Sequence, residues 1–175
     1  MQIEPIPEWG LTRRDEAQIA QLLARAFTTD FGGRSYFQQR HHLRLVMRAE
    51  GRIVGHMGLL FRAVRLGDVL TDIVGLADVA TDPDHRGQGI AQALLRAAID
   101  QAHASGAAFF LLFGNANVYS GNGFQRQTNA LTYLEMRGAV TGALKYERAE
   151  ELMVLPLRDQ VWPTGAPLDL LGALF

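Results

Sequence analysis

The sequence contains no cysteine. That excludes disulfides, thiolate metal sites and a cysteine nucleophile. Net charge is also nearly absent, at -1, so no global basic field points to nucleic acid. No apolar run approaches the ~18 residues of a membrane span. The opening "MQIEPIPEWG" has neither the basic nor the apolar region of a secretory signal, and no acid and histidine spacing suggests a metal site. These absences predict a cytoplasmic protein with no metal, no nucleic acid and no membrane among its partners. Hydrophobic residues make up 48% and charged residues 20% of 175, enough for a sizeable core. The length predicts one domain, 1–175.

"LTRRDEAQIAQLLARAF" opens on Thr12, a helix cap with Asp15 three residues on, and places Ile19, Leu22, Leu23 and Phe27 on one face. The pattern predicts a helix over about 13–28. "TTDFGGRSYFQQR" then reads as a loop. "HLRLVMRAE", "GRIVGHMGLLFRAVRL" and "GDVLTDIVGLADVAT" read as three strands, with Gly51 and the Gly67-Asp68 pair supplying the turns. Strands joined so tightly must be antiparallel. From Ile90 the period changes to helical, with Leu94, Leu95, Ala98, Ile99 and Ala102 on the same face, and stops near Ser105-Gly106. "AAFFLLF" reads as a strand buried on both faces. Strand, turn, helix and strand make a βαβ unit, whose crossover is right-handed. "NALTYLEMR" and "ELMVLPL" read as further strands, and "GAVTGALKYERAE" between them as a loop. The predicted class is α+β, a mostly antiparallel mixed sheet with a central βαβ crossover and helices on both faces.

The turn inside that unit, "DPDHRGQGIAQALL", carries the clearest chemistry. Arg86, Gly87, Gln88 and Gly89 present successive backbone N–H groups at a helix start. The first helical N–H groups lack internal partners there, and the macrodipole is positive. Glycines remove side chains that would hold an anion off, so the turn reads as a phosphate cradle. Arg86 adds a charge-assisted donor. It is not a Walker loop, which ends in Gly-Lys-Ser/Thr. Nor is it a dinucleotide fingerprint, which needs a third glycine where Gln92 stands and an acid after the next strand.

"VATDPDHRGQGIAQALL", followed about thirty residues later by "VYSGNGF", resembles the GNAT superfamily of N-acetyltransferases. The signature Arg/Gln-x-x-Gly-x-Gly/Ala is filled by Arg86, Gly89 and Ala91, and the Tyr four residues before Gly-Phe by Tyr119, Gly123 and Phe124. The likeness covers roughly residues 10–136 and implies a GNAT fold. "GHMGLL" and "VWPTGAPLDLLG" are similar to stretches of the rhizobial nodulation N-acyltransferases, although "VYSGNGF" is more like acetyl-CoA users. The resemblance implies acetyl-CoA or coenzyme A as co-substrate. Its pyrophosphate would lie on the amides of about Arg86 to Ala91, including Ile90, and its pantetheine arm along the backbone of Val79, Ala80 and Thr81. It gives Tyr119 as the acid that protonates the leaving thiolate, a role that a phenol of pKa near 10 can fill. Asn115 or Asn117 would touch the arm.

An amine acceptor must lose a proton to attack. Asp78, beside the expected thioester, is the first candidate base. Asp72, earlier on the strand, and His56 are the others; Asp78 reads equally as a strand residue facing solvent, and His56 reads more readily as a satisfied, semi-buried histidine than as a base. Phe31, Arg34, Tyr36 and Phe37 would line the acceptor's mouth, with His56 nearby. His41, His42 and His103 read as surface residues, and Arg13, Arg14, Arg62 and Arg65 as scattered charges. The expected activity is transfer of an acetyl or other acyl group from acyl-CoA to a small-molecule or peptide amine. The alternatives are a long-chain acyltransferase served by acyl carrier protein and a non-catalytic acyl-CoA sensor. A homodimer stays open.

Overall fold

Thr12 starts the first helix as its sequence requires. In the computed structural model, which describes residues 1–175, its hydroxyl accepts from the Asp15 N–H at 3.1 Å, and the Asp15 carboxylate accepts from the Thr12 N–H at 3.1 Å. This reciprocal cap satisfies two orphan donors and opens α1 (Arg13–Ala26), two residues shorter than expected. Its buried stripe of Ile19, Leu22 and Leu23 packs on Val46, Ile53 and Ala80.

The three expected strands are β2 (Leu43–Ala49), β3 (Arg52–Leu66) and β4 (Val69–Thr81), antiparallel through turns at Gly51 and Gly67. Both glycines have positive φ, which L side chains disfavour. β1 (Gln2–Pro7) pairs with β2. After β4 come α2 (Ile90–Ala104) and β5 (Phe109–Phe113), the latter parallel to β4. The crossover predicted from the change of period is therefore present. Leu94, Leu95 and Ala98 of α2 pack with Leu45, Met57, Leu76 and Phe110 in the larger core cluster. Each buried leucine contributes roughly 1.5–3 kcal/mol.

The rest of the chain extends this sheet. α3 (Ala116–Tyr119) is one turn, followed by β6 (Gln125–Gln127), β7 (Ala130–Arg137), β8 (Val140–Arg148), β9 (Leu152–Pro156) and β10 (Leu168–Ala173). The strand order is β6-β9-β5-β4-β3-β10-β7-β8. β10 thus lies between β3, antiparallel to it, and β7, parallel to it.

β8 corrects the loop expected over "GAVTGALKYERAE". All its residues but Lys145 are exposed on both faces, so no alternation marks it. Backbone pairing with β7 across the turn at Gly138 (φ 58°) holds it instead. β1, β6 and β10 had no counterpart in the sequence reading. β1 begins at the first residues, β6 is three residues long, and β10 follows a stretch rich in proline and glycine.

Candidate active site

β4 and β5 are hydrogen-bonded only from Ile73 to Gly75, opposite Phe109 to Leu111. Beyond Gly75 the two strands part. β4 continues to Thr81, held on one edge by β3, while the edge that faced β5 carries no strand. Val79, Ala80 and Thr81 lie on this stretch. It leads through Pro83–His85 to Gly87 and Gly89, both at φ 77°, and then into α2, for which Gly89 is the cap. A Cβ at either glycine would meet nothing within 4 Å, so the cradle is open as well as glycine-lined. Arg86, Gly87, Gln88, Gly89 and Ala91 are exposed. Ile90 is buried and its side chain packs into the core, which leaves only its backbone for a ligand.

The register across β3 and β4 shifts at the same place. His56 faces Ala80 and Gly58 faces Ala77, so Met57 stands opposite two residues, Asp78 and Val79. This is a β-bulge. Asp78 takes φ 47°, a left-handed conformation that costs a non-glycine residue of order 1–3 kcal/mol. His56 offsets that cost. Its Nε2 lies 3.1 Å from Arg44 NH1, which can only donate, so Nε2 accepts and Nδ1 carries the hydrogen. Nδ1–H donates to the Asp78 carbonyl at 2.7 Å. Burial first, and the neighbouring Arg44 charge second, lower the His56 pKa to about 3, against the hydrogen bond to Asp78. His56 is fully buried and neutral. This corrects its assignment as a substrate contact; it is the satisfied histidine of the sequence reading rather than a base, since both nitrogens are used within the fold.

Arg44, also fully buried, is partnered throughout. It donates from Nε and NH2 to Glu8 (2.7 and 3.1 Å) and from NH1 to the Ser35 carbonyl (2.6 Å). The Asp78 side chain emerges from this frame. Its Oδ2 accepts from the Phe37 N–H at 3.1 Å and lies 3.3 Å from His41 Nε2. Burial pushes its pKa up to about 6, opposed by the Phe37 N–H and the Arg44 charge. His41 is buried rather than on the surface, with its pKa pushed well down by burial and by Arg44. Room for its ring is made by Gly58, where a Cβ would come within 2.0 Å of His41 Cδ2. Asp72 is exposed before the strands part, away from the site.

Two cavities share Asp78, Ala77, Phe37 and Phe175. The larger, about 330 Å³, fills the gap between the parted strands and includes Phe31, Val79, Leu112 and Tyr119. The Tyr119 phenol is half-buried, and burial raises its pKa, so it stays protonated at neutral pH. Its ring stands edge-on to Phe124. Asp78 and Tyr119, remote in sequence, thus line one space. The smaller cavity, about 100 Å³, lies beyond Asp78 and takes in Gln38, His41, Leu60 and Leu174.

Other expected contacts are placed differently. Arg34 and Tyr36 are in neither cavity wall. Arg34 donates to the Phe37 carbonyl at 3.3 Å, and the Tyr36 ring lies under the guanidinium groups of Arg34 and Arg40. Asn115 is exposed and caps α3 by accepting from the Asn117 N–H at 2.9 Å. Arg62 is no free surface charge. It donates to the carbonyls of Ala173 and Leu170, both at 2.7 Å, and faces the Phe175 ring. His41, Gln38 and Phe175 were missed as site residues. Nothing in their local sequence marks them, because chain segments far apart bring them together.

Residues 10–126 match the family model described as acetyltransferase (GNAT) domain. The chain is 32% identical over 87 residues to the uncharacterized N-acetyltransferase YjhQ of Escherichia coli, a stretch that is 49% of this chain and 48% of that protein. The match therefore spans about half the length of that relative. Among solved structures, the GNAT family N-acetyltransferase YhbS of Escherichia coli, in complex with CoA, superposes with a TM-score of 0.67 at 22% identity, covering 97% of this chain and 88% of that one. A GNAT family acetyltransferase of Brucella melitensis, in complex with acetyl-CoA, gives 0.61 at 18% identity over 95% and 94%. At these identities the structural likeness establishes the fold.

Proposed function

This chain belongs to the GNAT acetyltransferase family, and we propose that it transfers an acetyl group from acetyl-CoA to a primary amine by direct attack on the thioester. The observation that carries the reading is the unpaired edge of β4 beyond Gly75, leading into the open glycine cradle at Gly87 and Gly89. A ligand with an amide-rich arm and a pyrophosphate needs both features in that order. The edge offers backbone pairing to the amides, and the N–H groups of the turn, with Arg86, offer donors to the phosphates. The relatives solved with CoA and acetyl-CoA support the same ligand.

The thioester supplies an activated acyl group, and the side chains supply proton movement. Asp78, with a pKa of about 6, is mostly ionised at pH 7 and takes the first proton from the incoming ammonium. It is a stronger base than an exposed aspartate because burial destabilises its charge. Tyr119, on the wall of the larger cavity, gives a proton to the departing thiolate and recovers one from the nitrogen that has formed the new amide. The sum is one N–C bond formed, one C–S bond broken and one proton released through Asp78.

The test is thermal denaturation with coenzyme A and acetyl-CoA, followed by thiol release with a panel of amines. At a hundredfold excess over Kd, a ligand of the folded state adds about 2.7 kcal/mol of stability. No rise in Tm at millimolar coenzyme overturns the reading. A rise without thiol release from any amine makes the protein a coenzyme-binding one, and preference for a long acyl group makes it a long-chain transferase.

A further inference from the structure

We propose that the ring of Phe175 is the stop that sets how long an acyl group the site accepts. The proposal rests on the acyl-transfer reading, and its test separates the two.

β4 and β5 form a wedge. They part beyond Gly75 and Leu111, and the open side leads to the cradle at Gly87 and Gly89. A coenzyme with its phosphates on that turn points its acyl end back into the wedge, toward Gly75. Phe175 stands there. β10 pairs with β3 only at Leu168 and Asp169. Leu171 then takes φ 51°, its N–H donating to the Asp169 carboxylate at 2.8 Å, and the pairing with β7 shifts register between Asp169 and Ala173. The segment turns away and brings Phe175 to β4 and β5. Its ring lies against Gly75, where a Cβ would come within 2.8 Å of it. The Phe113 ring is 5.4 Å away, and the Arg62 guanidinium 5.7 Å. Arg62 in turn holds the carbonyls of Leu170 and Ala173. The ring is thus fixed by its neighbours while only half-buried.

Four residues line both cavities, Phe37, Ala77, Asp78 and Phe175. Asp78 is the proposed base. Phe37 has its N–H tied to Asp78 and its ring against Phe31. Ala77 ends at a methyl. Phe175 is therefore the partition between the two spaces, and without its ring the larger opens into the smaller. The space behind, about 100 Å³ and lined in part by Leu60 and Leu174, has room for roughly three methylene-sized groups at ~30 Å³ each.

The test is calorimetric titration of the full chain with coenzyme A, acetyl-CoA and hexanoyl-CoA, which needs no acceptor. The parent protein should bind acetyl-CoA about tenfold more tightly than hexanoyl-CoA, whose tail would overpack the wedge. In Phe175→Ala the preference should swing toward hexanoyl-CoA by on the order of fiftyfold, about fourfold for each methylene taken in, with coenzyme A affinity unchanged. If Phe175→Ala does not fold, Phe175→Leu decides, with an expected swing of about fourfold. Equal affinity for the two acyl forms in the parent, an unchanged preference in the folded variant, or equal weakening of all three ligands overturns the proposal and leaves the acyl-transfer reading intact. A parent protein that binds no coenzyme A removes that reading and the proposal with it.

Discussion

At the turn between β4 and α2 the proposed binding groups are backbone N–H groups of one continuous stretch, residues 86–91, all exposed except Ile90. At Asp78 the groups are side chains and backbone from two distant segments, with the Phe37 N–H and His41 set against its carboxylate and largely buried. The first end needs only conformation, which two glycines at φ 77° provide. The second needs a buried frame, in which Glu8 holds Arg44, Arg44 fixes the tautomer of His56, and His56 holds the bulge that turns out Asp78. Substitution should therefore affect ligand binding alone at the first end, and chemistry and stability together at the second.

The largest effect is expected at the backbone end. Gly89→Glu puts an anion and a Cβ where a phosphate would lie, and coenzyme affinity should fall more than a thousandfold by calorimetry. The added Cβ meets no neighbour, so Tm should drop little beyond the roughly 1 kcal/mol cost of a left-handed non-glycine residue. Normal affinity would place the phosphate site away from this turn.

Asp78→Asn removes the base and should lower kcat/KM by 10²–10⁴-fold, with coenzyme binding kept. In the parent protein kcat/KM should rise with pH through about 6, as Asp78 ionises, and this limb should vanish in the variant. Stability runs the other way. The folded state holds the Asp78 proton more tightly than the unfolded chain, so stability falls as pH rises from about 4 to about 6. Asp78→Asn should abolish that slope and gain up to about 2–3 kcal/mol at pH 7. Equal Tm differences at pH 4 and pH 7 would refute the buried charge.

Tyr119→Phe keeps the ring against Phe124 and loses only the hydroxyl. Stopped assays should show kcat lowered by about 10² with coenzyme affinity unchanged; an unchanged kcat assigns the thiolate proton to another donor. The smallest effect is expected from Gly58→Ala. Its new methyl would displace the His41 ring, raising KM for the amine about fivefold and leaving coenzyme affinity as it was.

The same contrast sets what was legible beforehand. The β4-turn-α2 unit follows from local rules, since alternation, a proline turn, paired glycines and a helical period sit in consecutive residues. The sequence offers Asp78 and Tyr119 as candidates, and the structure lines one cavity with both. Local rules give no account of His41, whose burial depends on the missing side chain of Gly58 on β3. They also misplace His56, because a histidine in an apolar strand looks the same whether it meets a ligand or a buried arginine. β8 lay beyond them too, being a strand with no buried face.

β10 bears on how the molecule acquires its two ends. Residues 168–173 slot between β3 and β7, and Leu168 pairs with Leu66 across about a hundred intervening residues. Contacts so distant in sequence close late, because the loop entropy must be met before the pairing repays it. The β2-β3-β4 meander and α2 involve only near neighbours and can assemble first. Leu174 and Phe175, which follow β10 and wall the small cavity, arrive with the slow step. During refolding, competence to bind coenzyme should therefore appear before discrimination against a hexanoyl group, and the gap between the two times measures the insertion of a single strand.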